Sequence, residues 1–346
     1  MIKKVEYLVI GQGLAGTMMA FHLLETGKSV CVVDNGEISA SMVAAGLFNP
    51  VTGRRFVRSW NIEKLLPYAD KVYPSMEKLL DRKFYFKKPI IKILSGNEEK
   101  MVYDRSLTIE NKPYIEGFYS ATEEAKYSTC EIKEGGFVDT SLMIGSFREY
   151  LQKKDAFIKE DFYYNDLIIN PEGIQWKDVH ADNIIFCEGY KAIDNPLFPD
   201  LPFNLAKGEI LTLKIPGLNP DKVLMAGGYL VPVGDDIFKL GSTYAWDDMT
   251  TTPTPKGRED LITKLKDIAD LSFEIVNHEA GIRPAVKNRR PIVGRHPDMA
   301  NVFILNGMGT KGVLLAPYFA KQLSDLLLFD NEVDSDVDVS QYLVLK

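Results

Sequence analysis

A strand, a glycine turn and a helix at the start of the chain limit what it can fold into. Residues 5–10, VEYLVI, are apolar and β-rich, as expected of a strand buried on both faces of a parallel sheet. A G-x-G-x-x-G turn, IGQGLAG, follows directly, in which the first glycine makes the tight turn, the second admits a pyrophosphate and the third permits close helix packing. The turn residues predicted to bind a cofactor are Gly11, Gly13, Leu14, Ala15 and Gly16.

The residues after this turn complete a βαβ unit. TMMAFHLLETG is helix-compatible, and SVCVVD reads as a second strand that ends at Asp34. Asp34, with the neighbouring Asn35, is predicted to accept hydrogen bonds from ribose hydroxyls, and an acid there repels the 2′-phosphate of NADP. The N-terminus of the helix offers free N–H groups to a diphosphate. The unit therefore predicts a dinucleotide-binding domain.

The segment after Asp34 favours FAD over NAD. It reads NGEISASMVAAGLFNPVTGRRFVRSW, small and glycine-containing where an NAD-binding chain would normally continue into another helix. An extended flavin runs past the pyrophosphate and needs backbone with few protruding side chains. A flexible surface loop is the alternative, although AAGLF is apolar.

Length and composition bound the remaining possibilities. A chain of 346 residues exceeds the usual size of one core, so two domains are expected. Its net charge of −7 argues against a broad nucleic-acid surface. Three cysteines without paired spacing and four scattered histidines predict neither a disulfide framework nor a metal site. No apolar run is long enough to span a membrane, so a cytoplasmic protein is expected.

The order of strand-like and helix-like segments predicts an α/β chain with two interleaved domains. Alternating segments such as KGEILTLKI and YLVPVGDDIFKLG predict a second, mostly antiparallel sheet with a turn at VGDD. We therefore expect a Rossmann-like FAD-binding domain of the glutathione-reductase type, interleaved with an α+β substrate domain. The FAD-binding domain is predicted over 1–58, 136–203 and 276–346, and the substrate domain over 59–135 and 204–275.

A second glycine turn, NGMGTKGVLLAP at 306–317, leads to a family resemblance. With IGQGLAG and Asp34, AAGLFNP, KGEILTL, GGYLVPVGDDIFKLGSTY and GIRPAVKNRRPIVGRHP, it makes the sequence resemble the D-amino-acid oxidase superfamily of FAD-dependent oxidoreductases. Within it the chain looks most like glycine oxidase and the FAD domain of the bacterial tRNA-modifying oxidase of carboxymethylaminomethyl-uridine. The matches follow the family's order over almost the whole chain, and residues 55–135 match least.

The resemblance implies how the flavin is held. The second glycine turn would lie along the isoalloxazine, with a helix N-terminus aimed at the pyrimidine-ring oxygen, where partial positive charge stabilises the reduced flavin. Lys311 could add a full charge there or point to solvent. Because no cysteine lies near this turn, FAD would be bound non-covalently. The residues implied at this turn are Gly307, Met308, Gly309, Thr310, Lys311, Gly312 and Val313, and AAGLF matches the other flavin-contacting segment, with Ala44, Ala45, Gly46 and Leu47. Gly189 follows a strand whose end would pass beside the adenosine, and an ordinary sheet strand is the alternative.

The resemblance also implies a substrate site. Arg283 of GIRP matches the residue that pairs with the substrate carboxylate and that borders the cofactor, and Tyr229 and Tyr244 match positions that line the pocket. An arginine in a surface turn and tyrosines that merely pack are the alternatives. Met308 and Thr310 stand where glycine oxidases have histidine and arginine, so a second cationic contact is missing and a secondary or larger amine is favoured over glycine.

The activity implied is oxidation of the amine of an amino acid, or a related primary or secondary amine, to an imine by hydride transfer to flavin N5. The acceptor of the electrons is left open between oxygen and another molecule, and a homo-oligomer is compatible with the sequence. Two alternatives stand: an oxidase of a modified tRNA uridine side chain, and a flavoprotein without small-amine oxidase activity. The role of Arg54, Arg55 and Arg58 is also left open.

Overall fold

Most strands of the chain belong to one of two eight-stranded sheets. The computed structural model describes residues 2–53, 55–94, 98–122, 127–268 and 271–343. The helices are α1 (Leu14–Glu25), α2 (Ala40–Val43), α3 (Ile62–Leu80), α4 (Glu98–Ser106), α5 (Thr140–Lys153), α6 (Pro255–Ile268) and α7 (Gly312–Phe329). The strands are β1 (Lys3–Ile10), β2 (Val30–Asp34), β3 (Leu47–Phe48), β4 (Val51–Thr52), β5 (Val57–Arg58), β6 (Tyr85–Lys87), β7 (Ile90–Ile93), β8 (Ile115–Tyr119), β9 (Thr129–Ile132), β10 (Gly136–Val138), β11 (Phe157–Lys159), β12 (Leu167–Asn170), β13 (Gly173–Trp176), β14 (Val179–Phe186), β15 (Ala206–Lys214), β16 (Val223–Met225), β17 (Tyr229–Gly234), β18 (Ile237–Gly241), β19 (Glu274–Arg283), β20 (Ile292–Arg295) and β21 (Val302–Asn306).

The first sheet contains the βαβ unit predicted from the glycine turn. Its order is β11-β2-β1-β14-β13-β12, and β21 and β20 extend it beside β14. β1 runs parallel to β2 and β14, and β14 runs parallel to β21. Both faces of β1 are covered, since Leu8 belongs to one apolar core and Val9 to the other, each 0% exposed. The predicted Rossmann-like α/β fold class is confirmed.

Helices α1, α3, α5 and α7 share the core on the Val9 face of this sheet. α1 packs against α7, and α3 packs against α7 from the other side. The hydroxyl of Tyr73 on α3 donates a hydrogen bond to the carbonyl of Val313 on α7, with an O···O distance of 2.6 Å. This contact joins a segment that resembles the family least to the helix that follows the second glycine turn.

The second sheet is mostly antiparallel, as predicted. Its order is β19-β15-β18-β17-β16-β7-β9-β8, and only β16 and β7 are parallel neighbours. Apolar side chains of α6, among them Leu261 and Leu265, cover one face of it. β15, β17 and β19 supply residues to one wall of a cleft between the two sheets. A small sheet, β3-β10-β6, lies beside it.

Two elements, β19 and α3, bear on the predicted domain boundaries. All of β19, Glu274–Arg283, pairs with β15 in the antiparallel sheet, whereas a boundary is predicted at residue 276. α3, predicted to belong to the substrate domain, shares its core with α1 and α7. The division into two domains stays a prediction.

Residues typical of caps and turns stand at the ends of several elements. Asp139 precedes α5, and its Oδ1 accepts the backbone N–H of Leu142 at 2.9 Å. Gly27 follows α1 with φ of 78°, in the left-handed region that ends helices. β17 and β18 are joined at VGDD, where Asp236 has φ of 56°. Within the described ranges, no helix is long and apolar enough to cross a membrane.

Candidate active site

A cleft between the two sheets contains most of the predicted site residues. It holds about 1070 Å³ of free space, part of it open to solvent. Its lining includes both glycine turns, the AAGLF segment and the predicted substrate residues, although these segments are far apart in the chain. The predicted residues that line it are Gly13, Leu14, Ala15, Ala44, Ala45, Gly46, Leu47, Gly189, Tyr229, Tyr244, Arg283, Met308, Gly309, Thr310, Gly312 and Val313.

In the first glycine turn two glycines are needed for close packing, and the third lines the cleft. A Cβ on Gly16 would lie 1.9 Å from the carbonyl oxygen of Gly11, and a Cβ on Gly11 would lie 2.6 Å from the carbonyl oxygen of Cys187. These two glycines therefore serve close packing and do not line the cleft. Gly13 does, and the N–H of Leu14 donates to Ser41 Oγ at 3.1 Å.

Asp34 and Asn35 lie outside the cleft lining. The Asp34 carboxylate accepts the N–H of Gln12 at 2.7 Å and that of Gly36 at 2.8 Å. The guanidinium of Arg148 on α5 lies 3.1 Å from Asp34 Oδ1. Asn35 donates instead to the surface residue Asp161. Sequence reasoning missed Arg148, because nothing near it in the chain marks a contact with Asp34.

The AAGLF segment is held by a lysine that sequence reasoning also missed. Lys239 Nζ donates to the carbonyls of Val43 and Ala44, each at 3.1 Å, at the C-terminal end of α2. Burial lowers the pKa of Lys239. On the other side of the segment, Gly46 has φ of 65°, and a Cβ there would lie 1.8 Å from the carbonyl oxygen of Val138. Backbone alone therefore faces the cleft at this point.

The second glycine turn follows β21 and precedes α7. Gly307 and Gly309 have φ of 74° and 53°, so both occupy the left-handed region. Gly309 lines the cleft and Gly307 does not. Asn306 joins this turn to the end of β14, because its Nδ2 donates to the carbonyl of Gly189 at 3.0 Å and its Oδ1 accepts the N–H of Gly307 at 2.7 Å.

Lys311 does not line the cleft and does not point freely to solvent. Its Nζ lies 3.2 Å from Ser59 Oγ and 3.4 Å from Thr52 Oγ1, beside the β4–β5 hairpin. Burial lowers the pKa of Lys311, and the charges of Arg290 and Arg289 lower it further. Local positive charge is therefore concentrated on the outer side of the second glycine turn.

Arg283 faces the cleft with neutral partners. Its Nη2 donates to Ser242 Oγ at 2.8 Å and to the carbonyl of Thr243 at 3.2 Å, and its Nη1 donates to the carbonyl of Lys207 at 3.2 Å. Among the described residues, no carboxylate forms an ion pair with it. A Cβ on Gly208 would lie 1.8 Å from Nη2, so glycine is needed for the guanidinium to lie here.

The two predicted tyrosines flank Arg283 differently. Tyr229 is hydrogen-bonded to Ser242, and burial raises the pKa of its hydroxyl while the Arg283 charge opposes that rise. A Cβ on Gly241 would lie 2.5 Å from the Tyr229 hydroxyl. Tyr244 is 51% exposed, and the Arg283 Cζ lies 4.3 Å from its ring centroid. Tyr229 therefore lies inside the cleft and Tyr244 at its mouth.

Two ionisable groups directly precede Gly189 in the chain. Glu188 accepts a hydrogen bond from Asn195 Nδ2 at 2.8 Å and another from the hydroxyl of Tyr164. Burial raises the pKa of Glu188 to about 7. Cys187 lines the cleft, and burial raises the pKa of its thiol, so the thiol stays protonated.

The remaining candidates from the sequence do not join this site. Arg54 lies outside the described residues, Arg55 is exposed, and Arg58 Nη2 lies 3.9 Å from Glu63 Oε1 in a solvent-facing pair. No group of side chains suited to hold a metal occurs in the described part of the chain.

Comparison with known proteins identifies the family. The profile of the family described as FAD dependent oxidoreductase, DAO, matches residues 6–326. The chain belongs to this family. It is 23% identical to glycine oxidase of Bacillus subtilis, over 97% of this chain and 96% of that protein. It is 22% identical to the bifunctional protein MnmC of tRNA 5-methylaminomethyl-2-thiouridine biosynthesis from Marinobacter nauticus, over 92% of this chain but only 54% of that protein.

Solved structures of the DAO family share the fold. Glycine oxidase of Geobacillus kaustophilus superposes with a TM-score of 0.83 at 17% identity, covering 99% of this chain and 100% of that one. Iminodiacetate oxidase of Chelativorans sp. BNC1 superposes with a TM-score of 0.79 at 21% identity, covering 96% and 98%. The sequence-based assignment to the superfamily and the fold class are both confirmed.

FAD is the cofactor of the DAO family, and the cleft fits it. Glycine backbone faces the cleft at both turns, and the N-cap residues Gly13 of α1 and Lys311 of α7 make no side-chain capping hydrogen bond, although Ser41 Oγ accepts the N–H of Leu14. Uncapped helix N-termini offer N–H groups and partial positive charge, which suit a diphosphate at α1 and a developing negative charge at α7. A Cβ on Gly189 would meet nothing within 4 Å, so the cleft is open beside this glycine.

Proposed function

We propose that the protein oxidises the amine of a carboxylate-bearing substrate, an amino acid or a related secondary amine, to an imine. The observation that carries the proposal is the guanidinium of Arg283, which faces the cofactor cleft and whose hydrogen-bond partners among the described residues are all neutral. Desolvated charge is stabilised when an opposite charge binds, and a planar guanidinium matches a carboxylate through two parallel hydrogen bonds. Arg283 is therefore assigned to bind the carboxylate.

The residues around Arg283 orient the substrate. With the carboxylate on Arg283, the α-carbon and its amine extend into the cleft toward the AAGLF segment and the second glycine turn, both of which line it. When bound, FAD supplies the two-electron acceptor for the hydride that leaves the α-carbon. The amine enters neutral, loss of the hydride leaves an iminium ion, and this ion releases a proton from nitrogen to water to give the imine. Water then hydrolyses the imine to a 2-oxo acid or an aldehyde, with release of ammonia or an amine. No side chain has to remove a proton from carbon.

Charge near the second glycine turn assists the reaction. α7 begins at Gly312, and its first N–H groups present partial positive charge to this end of the cleft. Lys311, Arg289 and Arg290 add positive potential behind the turn. Positive potential that is already in place favours the negative charge that the reaction transfers to this region. We assign α7 and this cationic group to that role.

Anaerobic bleaching of the flavin absorbance tests the proposal. The holoprotein is mixed with glycine, sarcosine, proline and both enantiomers of the common amino acids, and each is paired with the amine that lacks the carboxylate. Bleaching by one or more acids and not by the matching decarboxylated amine supports the proposal. Bleaching by none of these compounds contradicts it and favours a flavoprotein without small-amine oxidase activity. Readmitting oxygen then identifies whether oxygen is the acceptor.

Oxidation of a modified uridine side chain in tRNA is the second candidate. Similarity to MnmC over 92% of this chain and the cationic group at Lys311, Arg289 and Arg290 favour it. The net charge of −7 opposes it, since RNA affinity rests mainly on contacts with phosphates. Bleaching by tRNA that carries the modified uridine, and by no free amino acid, would select this candidate. The cytoplasmic location, the homo-oligomer and non-covalent attachment of FAD stay predictions.

A further inference from the structure

An aromatic pair stands at the mouth of the cleft. We call residues 244–254, between β18 and α6, the rim loop. Its side chains Tyr244 and Trp246 are 51% and 62% exposed, and their rings are stacked with centroids 6.0 Å apart and an interplanar angle of 28°. Because Tyr244 also lies over the Arg283 guanidinium, the pair continues the cleft outward from the point assigned to the carboxylate.

A buried lysine anchors the rim loop. Lys207 on β15 is 1% exposed, and its ammonium lies 2.6 Å from Asp248 Oδ2 and 3.2 Å from Thr250 Oγ1. It also donates to the carbonyl of Thr252. The backbones of Lys207 and Ala245 exchange two hydrogen bonds of 2.8 and 3.1 Å. The hydrogen-bond partners of this ammonium in the described structure therefore all belong to the rim loop.

The far end of the rim loop is held by a second buried charge. Glu209, two residues along β15 and 4% exposed, accepts the N–H of Thr254 at 2.9 Å and its hydroxyl at 2.8 Å. Removing an ammonium and a carboxylate from water costs several kcal/mol each unless hydrogen bonds compensate. The loop supplies the hydrogen bonds described, Lys207 and Glu209 also lie 4.0 Å apart, and His278 Nε2 lies 2.8 Å from Glu209, so the loop conformation and the two charges help to stabilise each other. The aromatic pair is thus displayed on a fixed support.

The aromatic pair beside Arg283 suits one class of ligand. Tyr and Trp rings present large contact area with few rotatable bonds, and exposed aromatic rings on a rigid support are typical of binding surfaces. The pair is apolar, whereas its neighbour Arg283 is cationic. A ligand that spans both would carry a carboxylate at one end and a flat apolar group at the other.

We propose that Tyr244 and Trp246 form an outer subsite for a flat apolar group of the substrate, and that Lys207 is the positioning residue that holds this subsite in place. The proposal rests on the assignment of Arg283 to the carboxylate. It adds that substrates with an aromatic or other planar apolar portion are preferred over small aliphatic ones. Lys207 acts through the rim loop, and through the carbonyl that Arg283 Nη1 contacts.

A binding assay tests the proposal without a known substrate. Simple carboxylates are titrated into the holoenzyme, and the change in flavin absorbance measures their binding. The probes are acetate, cyclohexanecarboxylate and benzoate, which separate the carboxylate, apolar bulk and planarity. We expect benzoate to bind the wild type most tightly. Trp246→Ala should weaken benzoate binding about three- to tenfold, the range for an aromatic pair, with acetate binding changed less than about twofold. Trp246→Phe should recover most of the loss.

The positioning role of Lys207 is tested with Lys207→Met. We expect it to reduce the benzoate preference as Trp246→Ala does, and the two changes together should not add. Lys92→Met is the matched control, because Lys92 is 8% exposed on the same sheet and pairs with Glu98 at 3.3 Å, away from the rim loop. The control should keep the full preference. If Lys207→Met does not fold, Trp246→Ala, a surface change, still decides the proposal.

The outcomes separate this proposal from the proposed function. An unchanged ratio of benzoate to acetate affinity in Trp246→Ala overturns the outer subsite and leaves the carboxylate assignment intact. Equal losses for all three carboxylates in Trp246→Ala also overturn it, because they would show a general disturbance of the cleft. If no carboxylate perturbs the wild-type flavin, the assignment of Arg283 fails and the outer subsite fails with it.

Discussion

Replacing Arg283 by methionine removes the guanidinium while keeping an unbranched side chain. Two charge-assisted hydrogen bonds to a carboxylate are worth at least about 1.5 kcal/mol each, so about 3 kcal/mol of substrate binding should be lost. At about 1.4 kcal/mol per factor of ten, KM for the carboxylate substrate should rise roughly 150-fold. For the matching amine without a carboxylate, kcat/KM should change little.

The same structure predicts a small effect of this change on stability. Methionine leaves three neutral acceptors, Ser242 Oγ and two carbonyls, without their donor. It also removes a partly desolvated charge that has no acidic partner among the described residues, and these two effects oppose each other. We expect the free energy of unfolding of the holoenzyme to change by less than about 2 kcal/mol.

The assay measures the rate of single-turnover flavin reduction at a series of substrate concentrations, and thermal unfolding of each variant is measured in parallel. Arg295→Met is the control, because Arg295 pairs with Asp330 at the surface at 2.8 Å and lies outside the cleft. A KM that rises less than about fivefold in a normally folded Arg283→Met variant would refute the assignment. A large fall in stability with a proportional loss for both substrates would show instead that Arg283 is structural.

Three further changes test the walls of the cleft. Gly46→Ala should release FAD and lower the melting temperature, because its Cβ would lie 1.8 Å from the Val138 carbonyl oxygen. The control Gly145→Ala, in open space on α5, should leave the melting temperature unchanged or raise it. Equal effects of the two substitutions would contradict the prediction. Lys239→Met should speed FAD dissociation, measured by flavin fluorescence, because two carbonyls lose their hydrogen-bond donor. An unchanged dissociation rate would show that Lys239 does not support the AAGLF segment. Burial raises the pKa of Glu188 from 4.5 to about 7, so between these pH values the native state binds a proton that the unfolded state has lost. The free energy of unfolding should therefore fall by up to about 3 kcal/mol as the pH rises from about 4.5 to 7. Glu188→Gln should abolish this fall, and a variant whose stability changes with pH as the wild type does would contradict the prediction.

The first βαβ unit could be predicted from sequence because its signals are local. Gly11 has φ of 94°, a Cβ on Gly16 would lie 1.9 Å from the carbonyl oxygen of Gly11, and the strands on either side are apolar runs. The same holds for the second glycine turn and the N-cap at Asp139. Each of these features is decided by sterics or hydrogen bonds over a short stretch of chain, which the residues themselves record.

Contacts across long stretches of chain could not be predicted in this way. Arg148 reaches Asp34 from 114 residues away, and Lys239 reaches Ala44 from 195 residues away. Neither residue has a neighbouring pattern that marks its partner. α3 likewise has an amphipathic sequence, yet nothing in it shows that α7 is the surface it covers.

The amino-acid sequence alone determined the α/β class, the two glycine turns and the apolar segment between them, because each depends on allowed backbone angles and burial patterns. Only the tertiary structure decided that Arg283 donates to Ser242 and to backbone carbonyls, that Lys311 turns to Ser59 and Thr52, and that Lys207 holds the rim loop. The pairing of a charged side chain depends on which groups the folded chain brings within about 3 Å of it, and a linear sequence does not contain that distance.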